Sequence, residues 1–197
     1  DSGVIVLHVI ATVKYAAKAA QIGVDAIVAE GCESGGRTSL EEIATMALVP
    51  QVVDAVSCPV LAAGGIGDGR GLAAALSLGA DGVQIGTAFM ATQECEISNA
   101  YKHLLLAAAE TDTRLYRRER DARRAFKAEF FENALQSEDA AYDDLAQDPG
   151  AQTRGTGQIA GLIKAVRPVR EVVQEMVQQA CRRLAAAQTS LDHLSVV

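Results

Sequence analysis

The sequence has no tryptophan, only three histidines and four cysteines, and Phe, Tyr and Trp together make up 4% of its 197 residues. The cysteines are scattered without CxxC spacing, and no histidine has a cysteine or carboxylate at metal-ligand spacing. These shortages argue against a disulfide-stapled secreted domain and against a structural metal site. We therefore expect reduced thiols, no bound metal and a cytoplasmic location.

Long apolar runs and an excess of basic charge are missing as well. Gly, Asp or Arg interrupts every apolar stretch before the roughly 18 residues that a membrane span requires. The 18 Lys and Arg residues are outnumbered by 25 Asp and Glu, which gives a net charge of −7 and a pI near 5.0. This charge has the wrong sign for a general nucleic-acid or anionic-membrane binder. We expect neither partner, and we expect any bound phosphate to be held locally.

The sequence does contain 49% hydrophobic residues, which suits one globular domain, and a regular alternation of elements. Its apolar periodicity predicts strands at 4–10, 25–30, 59–63 and 82–85, and helices at 13–22, 41–56 and 69–78. The stretch GVDAIV, which starts at Gly23, recurs as GADGVQ from Gly79, two βα units later. Strands and helices that alternate through short loops require a parallel sheet, either doubly wound or closed as a (β/α)8 barrel.

Charge is segregated in the second half of the chain. A predicted helix at 94–110 is followed by seven basic residues within 114–127, and then by seven acidic and no basic residues within 128–148. This pattern indicates solvated helix faces, with a lid or a docking face for an acidic partner as alternatives. A last helix opens at Pro168, and its apolar stripe from Val169 to Leu184 predicts a packing surface.

Two strand-to-loop junctions carry the strongest chemical signal. The third predicted strand ends in Gly64 and Gly65, and the fourth ends in Gly86 and Thr87. A phosphate needs several converging backbone N–H groups, and glycine lets the main chain approach because it has no Cβ. In (β/α)8 enzymes such sites commonly lie at the loops after the last two strands, near a helix N-terminus. We predict a phosphate site here, and the alternative is that these glycines only end the strands.

A third glycine-rich junction follows the second predicted strand and would open on the same face. Its Gly35 and Gly36 allow the backbone to lie against a flat ligand or its phosphate tail. The next residue, Arg37, is a forked cation that can hold a carboxylate, nitronate or phosphate. In the alternative, Arg37 forms a surface ion pair with one of three glutamates, Glu33, Glu41 or Glu42.

At these junctions the chain resembles the nitronate monooxygenase (2-nitropropane dioxygenase) family, which includes FMN-dependent enoyl-acyl-carrier-protein reductases. The matching stretches are GVDAIVAEG, ESGG, PVLAAGGIGDGRG, LGADGVQIGT and GQIAGLI. Their order and spacing match as well as their composition, from about residue 4 to residue 184. The resemblance implies a TIM (β/α)8 barrel that carries FMN, with a smaller, mostly helical lid inserted late in the chain.

The predicted fold class is therefore α/β, the C-terminal half of a TIM (β/α)8 barrel with a mostly helical lid segment. Residues 1–92 would form the second half of the FMN-binding barrel, 93–155 the lid, and 156–197 a C-terminal segment and helix that return to the barrel. The resemblance also implies a set of cofactor-binding residues. Those at the FMN phosphate are Gly64, Gly65, Gly86 and Thr87, those near it are Ser34, Gly35 and Gly36, and those close to the flavin are Gln158 and Gly161.

The sequence departs from the family in two ways. ESGG usually continues with a histidine assigned to acid–base work or substrate contact, and Arg37 occupies that position. Arginine is effectively never deprotonated, so Arg37 cannot be a general base, although it can pair with an anionic substrate or stabilise developing negative charge. The chain also opens Asp1-Ser2-Gly3, without the family's N-terminal half. Two strand edges would then be unpaired, so we expect a fragment that aggregates or forms a homo-oligomer rather than binding FMN tightly.

The expected function is an FMN-dependent oxidoreductase of the nitronate monooxygenase type, which oxidises alkyl nitronates with dioxygen. One alternative is an FMN enoyl-thioester reductase that uses NAD(P)H and whose acidic carrier protein docks on residues 114–127. The other is a non-catalytic fragment or barrel that binds FMN or a sugar phosphate. The expected partner is accordingly a small-molecule substrate, either a nitronate or an enoyl thioester.

Overall fold

The computed structural model describes residues 3–117, 119–148 and 150–194. The strands are β1 Leu7–Ile10, β2 Ala26–Glu30, β3 Gly36–Thr38, β4 Val60–Ala63, β5 Gly82–Gln84, β6 Thr113–Arg117 and β7 Ala122–Phe126. The helices are α1 Val13–Gln21, α2 Thr45–Ala55, α3 Gly69–Ser77, α4 Thr87–Met90, α5 Asn99–Ala107, α6 Ala128–Leu135 and α7 Val169–Leu194. Short 3-10 turns lie at Ala140–Tyr142, Leu145–Gln147, Ala151–Thr153 and Gln158–Leu162.

A parallel sheet forms the centre of the first half of the chain, in the order β1-β2-β4-β5. Ile27 aligns with Val60, and Ala62 aligns with Val83, so these strands lie side by side in chain order. The apolar residues of β2 are buried, as a near-continuous hydrophobic run predicts for a strand that is covered on both faces. The predicted α/β alternation is confirmed, although the helix predicted at 41–56 begins only at Thr45.

The sequence repeat corresponds to a repeated hydrogen bond. Oδ2 of Asp25 accepts from the backbone N–H of Val6 at 2.7 Å, and Oδ2 of Asp81 accepts from that of Val60 at 2.9 Å. In both units, the aspartate that precedes one strand holds the start of the neighbouring strand. The repeat therefore reflects a device that sets the register of adjacent parallel strands.

Helices cover one face of the sheet, and local caps determine where two of them begin. The Thr12 hydroxyl accepts from the N–H of Tyr15 at the start of α1, and the Asp68 carboxylate accepts from that of Arg70 at the start of α3. Ala16 and Leu48 are fully buried between this helical layer and the sheet. The apolar face of each helix therefore packs onto the strands it connects.

The segment predicted as a mostly helical lid contains α5, α6 and three 3-10 turns, and it also contains a β-hairpin. β6 and β7 pair antiparallel, and β7 also pairs with β3, which gives a second sheet in the order β3-β7-β6. The interpretation of the basic run as solvated helix faces is wrong, because much of the run lies on these two strands. Arg124 is 6% exposed, and its Nε donates to the carbonyl of Cys32 at 2.9 Å. Because β3 and β7 lie far apart in the chain, their pairing produces no local periodic pattern from which it could be predicted.

A second core lies between α5, α6 and the hairpin, and it includes Tyr101, Leu104 and Phe126. Tyr101 is fully buried, and its hydroxyl lies 2.6 Å from Oγ1 of Thr156. Burial raises the pKa of Tyr101 to about 12, because the phenolate would lose its solvation. This contact joins α5 to the segment that leads toward the candidate site.

Some residues of the acidic run stabilise the start of α5. Oδ1 of Asp144 accepts from the N–H of Ala100 at 3.1 Å, and Oδ2 of Asp148 accepts from the hydroxyl of Ser98 at 2.7 Å. Carboxylates at a helix N-terminus are favoured by the helix dipole. These acids are therefore part of the packed structure rather than of a solvated helix face.

The apolar stripe of α7, predicted as a packing surface, is only partly buried. Met176 and Ala180 are buried against α3, whereas Val173 and Val177 are 43% and 49% exposed and Leu184 is 37% exposed. The reason is that α7 packs mainly on α3. Among the described residues, no helix is both long and apolar enough to cross a membrane.

The first strand is also largely uncovered. Ile5 is 73% exposed and Leu7 is 52% exposed, and β1 stands at one edge of the sheet. His8 on the same strand is exposed too. An apolar strand with a free edge is a template for pairing with another chain.

We expect the chain to self-associate through this edge and Leu7→Lys to weaken the association about tenfold, because burial of a leucine is worth about 1.5–3 kcal/mol. Light scattering across a concentration series measures the effect. The matched control is Leu135→Lys, at an exposed leucine on α6. Wild-type chain that stays monomeric, or equal weakening by both variants, would contradict the role of the β1 edge.

Candidate functional site

Three strand ends converge on one cavity of about 220 Å³ at the carboxyl edge of the parallel sheet. Gly64 and Gly65 follow β4, Gly86 and Thr87 follow β5, and the loop after β2 supplies the remaining wall. The predicted junctions therefore face the same space. Six of the nine predicted cofactor-binding residues line it, namely Ser34, Gly35, Gly64, Gly65, Gly86 and Thr87.

The turn after β4 requires glycine at two successive positions. Gly64 and Gly65 have φ angles of +87° and +71°, which residues with a side chain rarely adopt. A Cβ on Gly64 would also lie 2.8 Å from the carbonyl oxygen of Gly31. This turn therefore presents bare main chain to the cavity, as a phosphate site needs.

Gly86 and Thr87 form the opposite wall. A Cβ placed on Gly86 would have no heavy atom within 4 Å, so this position faces open space. Thr87 is buried, and its Oγ1 accepts from the N–H of Gly157 at 2.9 Å. Its hydroxyl thus joins the wall to residues 155–158, which close one side of the cavity.

Glu30, Glu33 and Ser34 are the polar residues on the β2 side of the cavity. Ser34 is 8% exposed, and its Oγ has no hydrogen-bond partner at normal distance and angle among the described residues. Burial raises the pKa of the Glu30 carboxyl, and the nearby Ser34 hydroxyl partly offsets that rise. The site thus holds a buried hydroxyl that is free to bind a ligand oxygen, beside a carboxyl group that keeps its proton longer than usual.

Residues 155–158 approach the loop after β2 closely. A Cβ on Gly35 would lie 2.6 Å from the backbone N of Gly157, and the N–H of Gln158 donates to the carbonyl of Glu33 at 3.0 Å. Gly155, Gly157 and Ile159 also line the cavity, although they are not among the predicted cofactor-binding residues. The sequence GTG at 155–157 was the signal that could have identified this wall.

Three predicted residues lie outside the lining of this cavity. Gly36 belongs to β3, and Gln158 contributes only its backbone hydrogen bond to Glu33. Gly161 packs instead on another loop, where an added Cβ would lie 2.8 Å from the backbone N of Glu110. The predicted place of Gly36 near the FMN phosphate, and those of Gln158 and Gly161 close to the flavin, therefore stay predictions.

Arg37 lies on β3, outside the glycine-lined cavity. Its side chain is 81% exposed, and its Nε lies 2.9 Å from Oδ2 of Asp121. The predicted surface ion pair thus exists but with a different partner, because pairing of β3 with β7 brings the hairpin turn alongside. Arg37 and Glu30 both line a second, more open cavity of about 480 Å³ at the end of β1. Glu30 is the side chain shared by the two cavities.

The cavity at the glycine turns fits the phosphate end of a mononucleotide rather than a whole flavin. Its 220 Å³ is below the roughly 300–1,000 Å³ of pockets that enclose a complete small ligand. The two glycine turns and the free Ser34 hydroxyl suit a phosphate ester. Within the described residues, no three His, Cys, Asp or Glu side chains are arranged to hold a metal ion, and the four cysteines are free thiols.

We expect the stability of the wild-type protein to fall, relative to Glu30→Gln, as the pH rises through and above 4.5. The folded state binds the Glu30 proton more tightly than the unfolded chain, so this contribution is complete below 4.5 and is lost as pH passes the raised pKa. Urea unfolding at a series of pH values measures the difference. The exposed Glu138→Gln variant is the control, and the same pH dependence in both variants would contradict the assignment to Glu30.

Comparison with known proteins agrees with this architecture. A Mycobacterium tuberculosis protein provisionally named as monooxygenase Rv1533 is 40% identical over 200 aligned residues, which cover 89% of this chain and 53% of that protein. The solved structure of FabK from Thermotoga maritima superposes with a TM-score of 0.81 at 31% identity, covering 95% of this chain and 64% of that one. Nitroalkane oxidase from Streptomyces ansochromogenes gives 0.73 at 31% identity, covering 96% of this chain and 60% of that one.

The chain thus spans 53% of the mycobacterial relative and 60% to 64% of the two solved chains. Its α/β fold corresponds to part of the TIM-barrel structures of these proteins. The nitronate monooxygenase family matches residues 1–189, nearly the whole sequence. On this match, the chain belongs to the nitronate monooxygenase family of flavin oxidoreductases.

Proposed function

We propose that the protein is an FMN-dependent oxidoreductase that oxidises alkyl nitronates with dioxygen. The observation that carries this proposal is the convergence of the two glycine turns, at Gly64 and Gly65 and at Gly86 and Thr87, on one cavity. Membership of the nitronate monooxygenase family supports the reaction class. The proposal includes a cytoplasmic location and either self-association or a further barrel segment that completes the site.

The residues around the cavity suit the phosphate tail of FMN. The main chain at Gly64, Gly65 and Gly86 would hold the phosphate oxygens, and the Ser34 hydroxyl would donate to one of them. Bound FMN would supply the electron-transfer chemistry, which amino-acid side chains do not provide. The protein would contribute binding, orientation and charge.

Arg37 and Glu30 lie beside the proposed substrate space, which Glu41, Arg120 and Asp121 also line. Both line the 480 Å³ cavity, where the exposed guanidinium could attract an anionic nitronate. Arg37 cannot accept a proton, because arginine is always charged. Glu30 is therefore one of the carboxyl groups that would exchange a proton in this cavity, and burial raises its pKa above the ordinary value.

A second candidate, an enoyl-thioester reductase that uses NAD(P)H, is favoured by the basic hairpin. Arg114 and Arg120 are exposed on the hairpin, and Arg117 is also exposed while paired with Glu42 at 2.7 Å. An exposed arginine surface of this kind complements an acidic carrier protein. The same flavin site would serve either reaction, so the two candidates differ in what reduces the flavin.

We expect an alkyl nitronate, but not NADH or NADPH, to bleach the absorbance of FMN-loaded protein rapidly without oxygen. Stopped-flow absorbance measures both rates. Rapid bleaching by NAD(P)H would overturn the nitronate proposal and favour the reductase. Bleaching by neither reductant would favour the non-catalytic FMN-binding alternative, and admission of air after nitronate reduction should restore the yellow colour.

We expect Arg37→His to raise the KM for a nitronate about fivefold with a smaller change in kcat, because an exposed ion pair is worth up to about 1 kcal/mol. Steady-state kinetics at several nitronate concentrations test this. The control is Arg70→His, at an exposed arginine that pairs with Asp68 at 2.6 Å. A gain in turnover by Arg37→His would instead mean that the natural arginine impairs a histidine-dependent reaction.

A further inference from the structure

The Glu33 side chain lies beneath the glycine turn and is held by α2. Its two carboxylate oxygens are each 3.0 Å from the backbone N of Thr45, and Oε2 is 3.0 Å from Oγ1 of Thr45. Ala44, the residue that precedes α2, supplies no side-chain cap. Glu33 thus caps this helix from a distant loop, which places its negative charge at the helix N-terminus.

Thr45 extends this contact to the turn after β4. Its Oγ1 lies 2.9 Å from the carbonyl oxygen of Gly64 and 3.1 Å from that of Ala63. The single hydroxyl proton can be donated to these carbonyls or to Glu33. The backbone of Gly64, with its positive φ angle, is therefore fastened to α2 through one threonine whose own position depends on Glu33.

The backbone of Glu33 holds the other side of the cavity. Its carbonyl accepts from the N–H of Gln158, and the adjacent Gly157 donates to the hydroxyl of Thr87. Glu33 is therefore connected to both glycine turns. Its side chain reaches Gly64 by way of Thr45, and its main chain reaches Thr87 by way of residues 157 and 158. No other side chain around the cavity has this double connection among the described residues.

We propose that Glu33 is a positioning residue, which acts through Thr45 to hold the Gly64 and Gly65 turn in the conformation that accepts a phosphate. This inference deepens the proposed function and rests on it. Glu33 does not contact the ligand in this account. It lowers the cost of ordering the turn, so that the backbone N–H groups are arranged before the phosphate arrives.

The test compares Glu33→Gln with Glu138→Gln, an equal change of charge at an exposed residue that lines neither cavity. The first readout needs no ligand: NMR amide signals of Gly64 and Gly65 in the full chain. We expect Glu33→Gln to shift or broaden these signals and Glu138→Gln to leave them unchanged. Thr45→Val should act like Glu33→Gln, and Thr45→Ser, which keeps the hydroxyl, should restore the signals.

The second readout is the ratio of the dissociation constants for riboflavin and FMN, which differ by the phosphate alone. We expect wild-type protein to prefer FMN, and Glu33→Gln to reduce that preference about tenfold because hydrogen bonds to charged groups are strong. Riboflavin affinity should stay constant, which separates loss of the phosphate turn from general unfolding. Circular dichroism checks that each variant is folded.

The possible results distinguish the positioning role of Glu33 from the proposed phosphate site. Equal wild-type affinity for FMN and riboflavin would overturn the phosphate site. A wild-type preference for FMN that Glu33→Gln retains would overturn the positioning role alone. If the chain binds neither flavin, the ligand-free amide signals decide, because unchanged Gly64 and Gly65 signals in Glu33→Gln would also overturn it.

Discussion

Parallel pairing of β2, β4 and β5 is the constraint on which the candidate site depends. Parallel strands end at the same edge of the sheet, so the loops that follow them lie close together. The carboxylates of Asp25 and Asp81 hold the starts of neighbouring strands and so support this alignment. At the meeting point the chain has glycine rather than larger residues, which leaves the 220 Å³ cavity. Contacts from Glu33 and Thr87 then fix the walls relative to one another.

The sequence predicts those parts of the molecule whose causes are local. Apolar runs covered on both faces, and glycines at their ends, identify the parallel strands and six residues of the cavity lining. Pairing of β3 with β7 could not be predicted, because Gly36 pairs with Arg124, a residue far away in the sequence. The Arg37 contact with Asp121 follows from that pairing. Glu33 gives no signal either, since a glutamate in a loop looks the same whether it faces solvent or caps a distant helix.

The exposed apolar surfaces and the small volume of the cavity both reflect a parallel sheet of only four described strands. A free edge at β1 leaves Leu7 uncovered, and α7 packs on α3 while Val177 faces outward. Val9 and Ile10 of β1 line the larger space beside Arg37, and Glu30 lines both that space and the cavity. A surface that covered this edge would therefore stand beside the larger space. Completion of the sheet and enclosure of a whole cofactor are therefore linked structurally.

The second sheet takes one of its three strands from the loop that follows β2. Gly36 to Thr38 pair with the hairpin, and the immediately preceding residues line the cavity. Arg124 adds a further tie, from β7 to the carbonyl of Cys32. The hairpin consequently cannot be replaced without affecting the loop that lines the cavity. If the hairpin were deleted or replaced by an unrelated insertion, the loop after β2 would lose the strand with which it pairs. The cavity therefore limits which substitutions the hairpin tolerates, although no hairpin residue that the structure describes lines it.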